Sequence, residues 1–96
     1  MTLMIPAVHL NGTSRAELER GYSAALDALR AAADAVAETA PNGRDYYVYG
    51  RDAFTCAQYE HKARMSNVRV AWEQVEAILM ALMDESAVDK EGRLTT

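Results

Sequence analysis

Three clusters in this chain carry side chains able to do chemistry. The first is Pro41-Asn42-Gly43-Arg44-Asp45-Tyr46-Tyr47-Val48-Tyr49-Gly50-Arg51-Asp52, which holds three of the five tyrosines. Arg44 and Arg51 offer planar forks to phosphate or carboxylate, while Tyr46 and Tyr47 offer stacking faces with a hydroxyl handle. Arginine beside an aromatic ring is the pairing that holds a nucleotide: charge for the phosphate, a π-face for the base. A blander reading has Tyr46 and Tyr47 plugging the end of a helical bundle while Arg44 pairs with Asp45.

The second cluster is His9-Leu10-Asn11-Gly12-Thr13-Ser14-Arg15. Backbone amides at a helix start attract anions, and Arg15 adds charge. With His9, Asn11 and Thr13 it forms a candidate polar site, although a capped helix start without a ligand has the same pattern. The third cluster is Gln58 and His61, with Glu60, Lys62 and Arg64 beside them. Gln58 and His61 fall on an otherwise apolar seam, where polar groups either bond each other, fix register, or line a site. The two histidines, His9 and His61, match no hydrolase triad and form no H-x-x-x-H metal pair. Neither an enzyme nor a cofactor is expected.

The elements that must position these clusters are two helices. Ser14-Arg15-Ala16-Glu17 is a capping-box pattern, so the first helix is expected from about 14 to 40, where Pro41-Asn42-Gly43 stops it. Its seam reads Leu18, Tyr22, Ala25, Leu29, Ala32 and Val36. The second helix is expected from Asp52, a good N-cap type, to about Met83. Its seam reads Phe54, Gln58, His61, Met65, Val68, Trp72, Val75, Leu79 and Leu82. Both alternate steps of four and three, the spacing of helices that pack along a stripe. Residues 1–13 read as an extended arm, with Pro6 restricting any pairing to an edge. Residues 84–96 are polar and read as a frayed tail.

The chain of 96 residues is read as one domain, 1–96: an all-α, long antiparallel helical hairpin. The alanine-rich first helix buries little area, so a homo-oligomeric helical bundle, a dimer or higher, is expected. The end of the second helix, with Ile78, Leu79, Met80, Leu82 and Met83, is expected to overhang the first and serve as interface. A net charge of −4 argues against general nucleic-acid binding. The single Cys56 fits a reducing cytoplasm, and no stretch suits a membrane span or a signal peptide. The expected location is therefore cytoplasmic.

Through His9-Leu10-Asn11-Gly12-Thr13-Ser14-Arg15, Asn42-Gly43-Arg44-Asp45-Tyr46-Tyr47, and Ala57 with Glu60-His61 and Arg64, the chain resembles small proteins encoded by phages and prophages. The resemblance spans most of residues 5–80. It implies phage origin, hence a host cytoplasm, rather than a mechanism. By analogy, small oligomeric phage proteins include sponges that sequester cyclic or ADP-ribose-type nucleotides made by bacterial defence systems such as CBASS and Thoeris. On that analogy a small anionic nucleotide is the expected ligand. Arg15, Arg44 and Arg64 would hold phosphate and Tyr46 and Tyr47 would stack a base, with Asp45 beside them. His9, Asn11 and His61 would read polar edges, beside Thr13 and Gln58. Because the first two clusters sit at opposite ends of an antiparallel hairpin, about 35 Å apart at helical rise, the expected pocket combines two subunits. The alternative is a non-catalytic helical module that acts on another protein through its seam.

Overall fold

A computed structural model describes residues 2–95 and shows two long helices packed antiparallel. The first, α1, spans Arg15–Ala37 and the second, α2, spans Ala53–Met83. At 1.5 Å per residue these are rods of about 35 and 46 Å. The Ser14 hydroxyl accepts from the Glu17 amide at 3.2 Å, and the Ser14 carbonyl accepts the first helical bond from Leu18. That satisfies one of the four orphan amides at the helix start. Only this half of the expected capping box forms. Asp52 does precede α2, but its own backbone is helical and its side chain makes no cap bond. The chain instead enters α2 through Gly50 at φ 115°, a left-handed conformation that favours glycine.

Both seams differ slightly from their expected course. In α1 the half-buried apolar positions are Leu18, Tyr22, Ala25, Leu26, Leu29, Ala33 and Val36, so Leu26 joins the seam and Ala33 replaces the exposed Ala32. In α2 the inward position after Phe54 is Ala57, which is buried, while Gln58 turns to solvent. A step of three followed by four places a methyl between the helices and leaves the amide in water, which avoids burying an unpaired polar group. His61 remains half-buried on the seam.

The tail departs furthest from the expectation of a frayed end. Glu85–Ala87 forms a 3₁₀ turn, and residues 88–94 fold back as a small loop joined by a bridge between Val88 and Leu94. Asp89 Oδ1 accepts from the Glu91 and Arg93 amides, both at 2.9 Å, and Gly92 takes φ 85° to close the turn. The extended arm then pairs with this loop: the Ile5 amide donates to Gly92 at 2.7 Å and the Leu94 amide donates to Leu3 at 2.9 Å. Ile5, Ala81 and Leu82 are buried together, with Leu3, Leu18, Tyr22, Ile78, Val88 and Leu94 packed around them. The end of α2 is therefore covered by the chain's own termini. Met80 and Met83 alone of the expected overhang stay exposed.

At the other end, α2 is the longer helix. Arg15 lies against Leu82 and Arg30 against Trp72, so α1 finishes near the level of Lys62 and the first turns of α2 project beyond it. Two 3₁₀ turns, Gly43–Asp45 and Tyr47–Tyr49, cover that projection. The molecule measures 61 × 23 × 18 Å with a radius of gyration of 18.8 Å. A compact chain of this length would have about 12.5 Å. Among the described residues no helix is long and apolar enough to cross a membrane.

Candidate functional site

The three clusters read from the sequence do not come together. His9, Asn11 and Thr13 are exposed at the end of the rod where α1 starts, whereas Arg44, Asp45, Tyr46 and Tyr47 lie in the turns at the other end. Gln58 and Arg64 both lie on α2, yet six residues at 100° each set them about 120° apart around its axis.

Several of these residues are occupied by the fold itself. The Arg15 guanidinium donates to the Leu82 carbonyl and pairs with Glu85. It thereby ties the start of α1 to the open carbonyls at the end of α2, where positive charge is favoured. Its charge is spent there rather than offered to a phosphate. Asn42 Oδ1 accepts from the Arg44 amide at 3.1 Å, which closes the first 3₁₀ turn. Gly43 lies against the ring of Phe54, where an added Cβ would sit 3.8 Å away. Tyr46 is half-buried with its ring 6.4 Å from Phe54. The Asn-Gly-Arg-Asp-Tyr motif is thus built to seal the projecting end of α2, the plug reading of Tyr46. Tyr47 is not part of the plug: Tyr47, Val48 and Tyr49 are 74%, 68% and 77% exposed. Arg44 and Asp45 form no ion pair with each other and both face solvent. His61 Nδ1 is buried with no hydrogen-bond partner. Gln58, turned outward, does not supply one.

The convergence of charge and aromatic surface lies elsewhere, in a cleft of about 750 Å³ between α1 and α2, halfway along the rod. Arg30, Ala33 and Asp34 of α1 form one wall; Tyr59, Lys62, Ser66, Arg69 and Trp72 of α2 form the other. The Arg30 guanidinium carbon lies 5.8 Å from the centre of the Trp72 ring, within cation–π range on an exposed side chain. Lys62 and Arg69 add two cations against one carboxylate, Asp34, in a chain whose net charge is −4. Arg69 also lies 3.7 Å from Glu73, an exposed pair on adjacent turns that adds little stability. Tyr59 presents a ring that is 72% exposed at the cleft edge. Three cations, a hydroxyl and an open aromatic face are what an anionic ligand with a planar ring requires.

The sequence carries one signal for this cleft. Tyr59, Lys62, Ser66 and Arg69 recur at steps of three, four and three, which is one flank of a helix. The contribution of Arg30 and its seat on Trp72 depends on the pairing of the two helices, which no local pattern encodes. Among the described residues no group of three or more His, Cys, Asp or Glu is placed to hold a metal ion. In comparisons with known proteins, no family model, no curated protein and no solved structure matches the chain.

Proposed function

We propose that this protein is a non-catalytic binder that captures a small anionic ligand carrying a planar ring, a nucleotide being the leading class, in the cleft between α1 and α2. The observation that carries this reading is Arg30 held over Trp72 with Lys62 and Arg69 lining the same cleft. Arg30, Lys62 and Arg69 contact phosphate, the Ser66 hydroxyl bonds a polar edge, and the exposed face of Tyr59 stacks the base. The resemblance to small phage-encoded proteins directs the choice within that class toward the cyclic nucleotides of bacterial defence, and the biological role toward their sequestration in a host cytoplasm.

The test is direct. Isothermal titration of the protein with cyclic dinucleotides, cyclic ADP-ribose isomers and inorganic phosphate should find saturable binding of a nucleotide that weakens as salt rises. Lys62→Ala or Arg69→Ala should each weaken it about tenfold, the equivalent of one charge-assisted hydrogen bond. The ligand should be recovered chemically unchanged; turnover would replace a binder with an enzyme.

A second reading is favoured by one observation at the tip of the rod. Tyr47, Val48 and Tyr49 stand exposed on a short turn, and exposed aromatic groups of this kind anchor protein interfaces. A helical module that acts on another protein would use this tip, and Tyr47→Ala with Tyr49→Ala would abolish its activity while leaving nucleotide binding intact.

A further inference from the structure

Two Asn-Gly pairs stand outside the long helices, Asn11-Gly12 and Asn42-Gly43, whereas Asn67 lies inside α2 before the branched Val68. An asparagine followed by glycine can lose its amide by an internal attack. The backbone nitrogen of the glycine approaches the side-chain carboxamide carbon, and glycine has no Cβ to hinder that approach. A folded chain permits the attack where the glycine N–H is free, the carboxamide is polarised and the backbone lies outside a helical ladder.

The two pairs meet these conditions differently. The Gly12 amide donates to the His9 carbonyl at 3.1 Å, and His9 Nε2 lies 2.7 Å from where a Gly12 Cβ would stand. That nucleophile is bonded and crowded. The Gly43 amide has no acceptor among the described residues, and the atoms closest to its missing Cβ are those of the Phe54 ring at 3.8 Å. Asn42 is exposed and extended, at φ −116° and ψ 132°. Its Oδ1 accepts from the Arg44 amide at 3.1 Å. Oδ1 is the oxygen that gains negative charge when Cγ is attacked, so the Arg44 N–H is aimed where charge develops.

We propose that Asn42-Gly43 is a self-modification site, at which water converts the asparagine to aspartate and isoaspartate. The Gly43 nitrogen gives its proton to solvent and bonds to Asn42 Cγ. The Cγ–Nδ2 bond then breaks, and Nδ2 takes a proton from solvent and leaves as ammonia. Water adds to either carbonyl of the cyclic imide that remains. Breaking the new bond between Cγ and the Gly43 nitrogen gives aspartate. Breaking the original peptide bond instead routes the chain through Cγ as isoaspartate, with one extra backbone carbon. Nothing is oxidised or reduced, and water is the only co-reactant.

The product matters because of what this turn holds. The Arg44 amide bonds Asn42 Oδ1, the Asp45 amide bonds the Asn42 carbonyl at 3.0 Å, and the turn they close seats Tyr46 against Phe54. An extra backbone carbon at Asn42 displaces both acceptors. Isoaspartate therefore unseals the projecting end of α2, next to the exposed Tyr47, Val48 and Tyr49.

Peptide mapping by mass spectrometry of the full folded chain, held in warm neutral buffer, reads each site as an amide-to-acid mass gain. Asn42 should convert about fivefold faster than Asn11, the rate equivalent of one net hydrogen bond, and Asn67 should stay intact. In urea the rates of the two Asn-Gly pairs should converge. Gly43→Ala, whose Cβ would make ordinary contact with Phe54, should slow Asn42 while helical circular dichroism is unchanged. The isoaspartate form, separated by ion exchange, should unfold at a lower urea concentration than the fresh chain. Equal rates at Asn11 and Asn42 in the folded chain, or a difference that persists in urea, would overturn the site. An unchanged urea midpoint would overturn its effect on the turn.

Discussion

At the scale of single residues, the chain shows how a motif suited to binding can be consumed by architecture. Arg15 would be a phosphate ligand by type, but it donates to the Leu82 carbonyl and pairs with Glu85. Replacing it with alanine should therefore lower stability by about 1–2 kcal/mol, chiefly from the lost bond to the helix end, because the Glu85 partner is largely exposed. Urea denaturation followed by circular dichroism would read this, and nucleotide affinity should not change in the folded fraction. His61 presents the opposite case. A buried Nδ1 without a partner costs about 1–3 kcal/mol, so His61→Leu, which keeps the volume and removes the polar atom, should leave stability unchanged or raise it by about 1 kcal/mol. A loss above about 1 kcal/mol in the same denaturation experiment would show that the imidazole has a favourable partner in solution.

At the scale of elements, the two helices and their antiparallel pairing were legible because their signals are local and redundant. Ser14 starts α1, Pro41 and Gly43 lie in the link after it, and the three-four spacing marks the packed faces. The errors have physical causes. Gln58 and Ala57 are both compatible with the spacing from Phe54, and only the cost of desolvating an amide chooses between them. The order of the tail is hard to read from sequence because its charged and small residues conceal a turn. Val88 and Leu94 flank Asp89-Lys90-Glu91-Gly92-Arg93, a loop with an amide-binding Asp at its start and a left-handed Gly near its end, which is a hairpin signal. What it pairs with, the arm at Leu3–Ile5, is more than eighty residues away in sequence. This end carries much of the structure's burial, since Leu82 is only 2% exposed. Leu82→Ala should cost about 2–4 kcal/mol, read as a fall in the denaturation midpoint. Removing residues 85–96 should destabilise the chain at least as much and expose Ile5.

At the scale of the whole molecule, the two ends and the middle divide the labour. One end closes on itself through Arg15, the arm and the tail; the other is sealed by Tyr46 on Phe54. The middle holds the cleft between the two helices. A sequence reading locates ligand groups where they cluster along the chain, so it favoured the ends. The cleft gathers Arg30, Lys62, Arg69, Tyr59 and Trp72 from two helices, and its key contact exists only once those helices pair. The most direct test is therefore titration of one nucleotide ligand into three proteins: the unaltered chain, Arg69→Ala and Arg44→Ala. The cleft account predicts that Arg69→Ala weakens binding about tenfold while Arg44→Ala binds as the unaltered chain does. Binding lost in Arg44→Ala and kept in Arg69→Ala would contradict it and return the site to the tip of the rod.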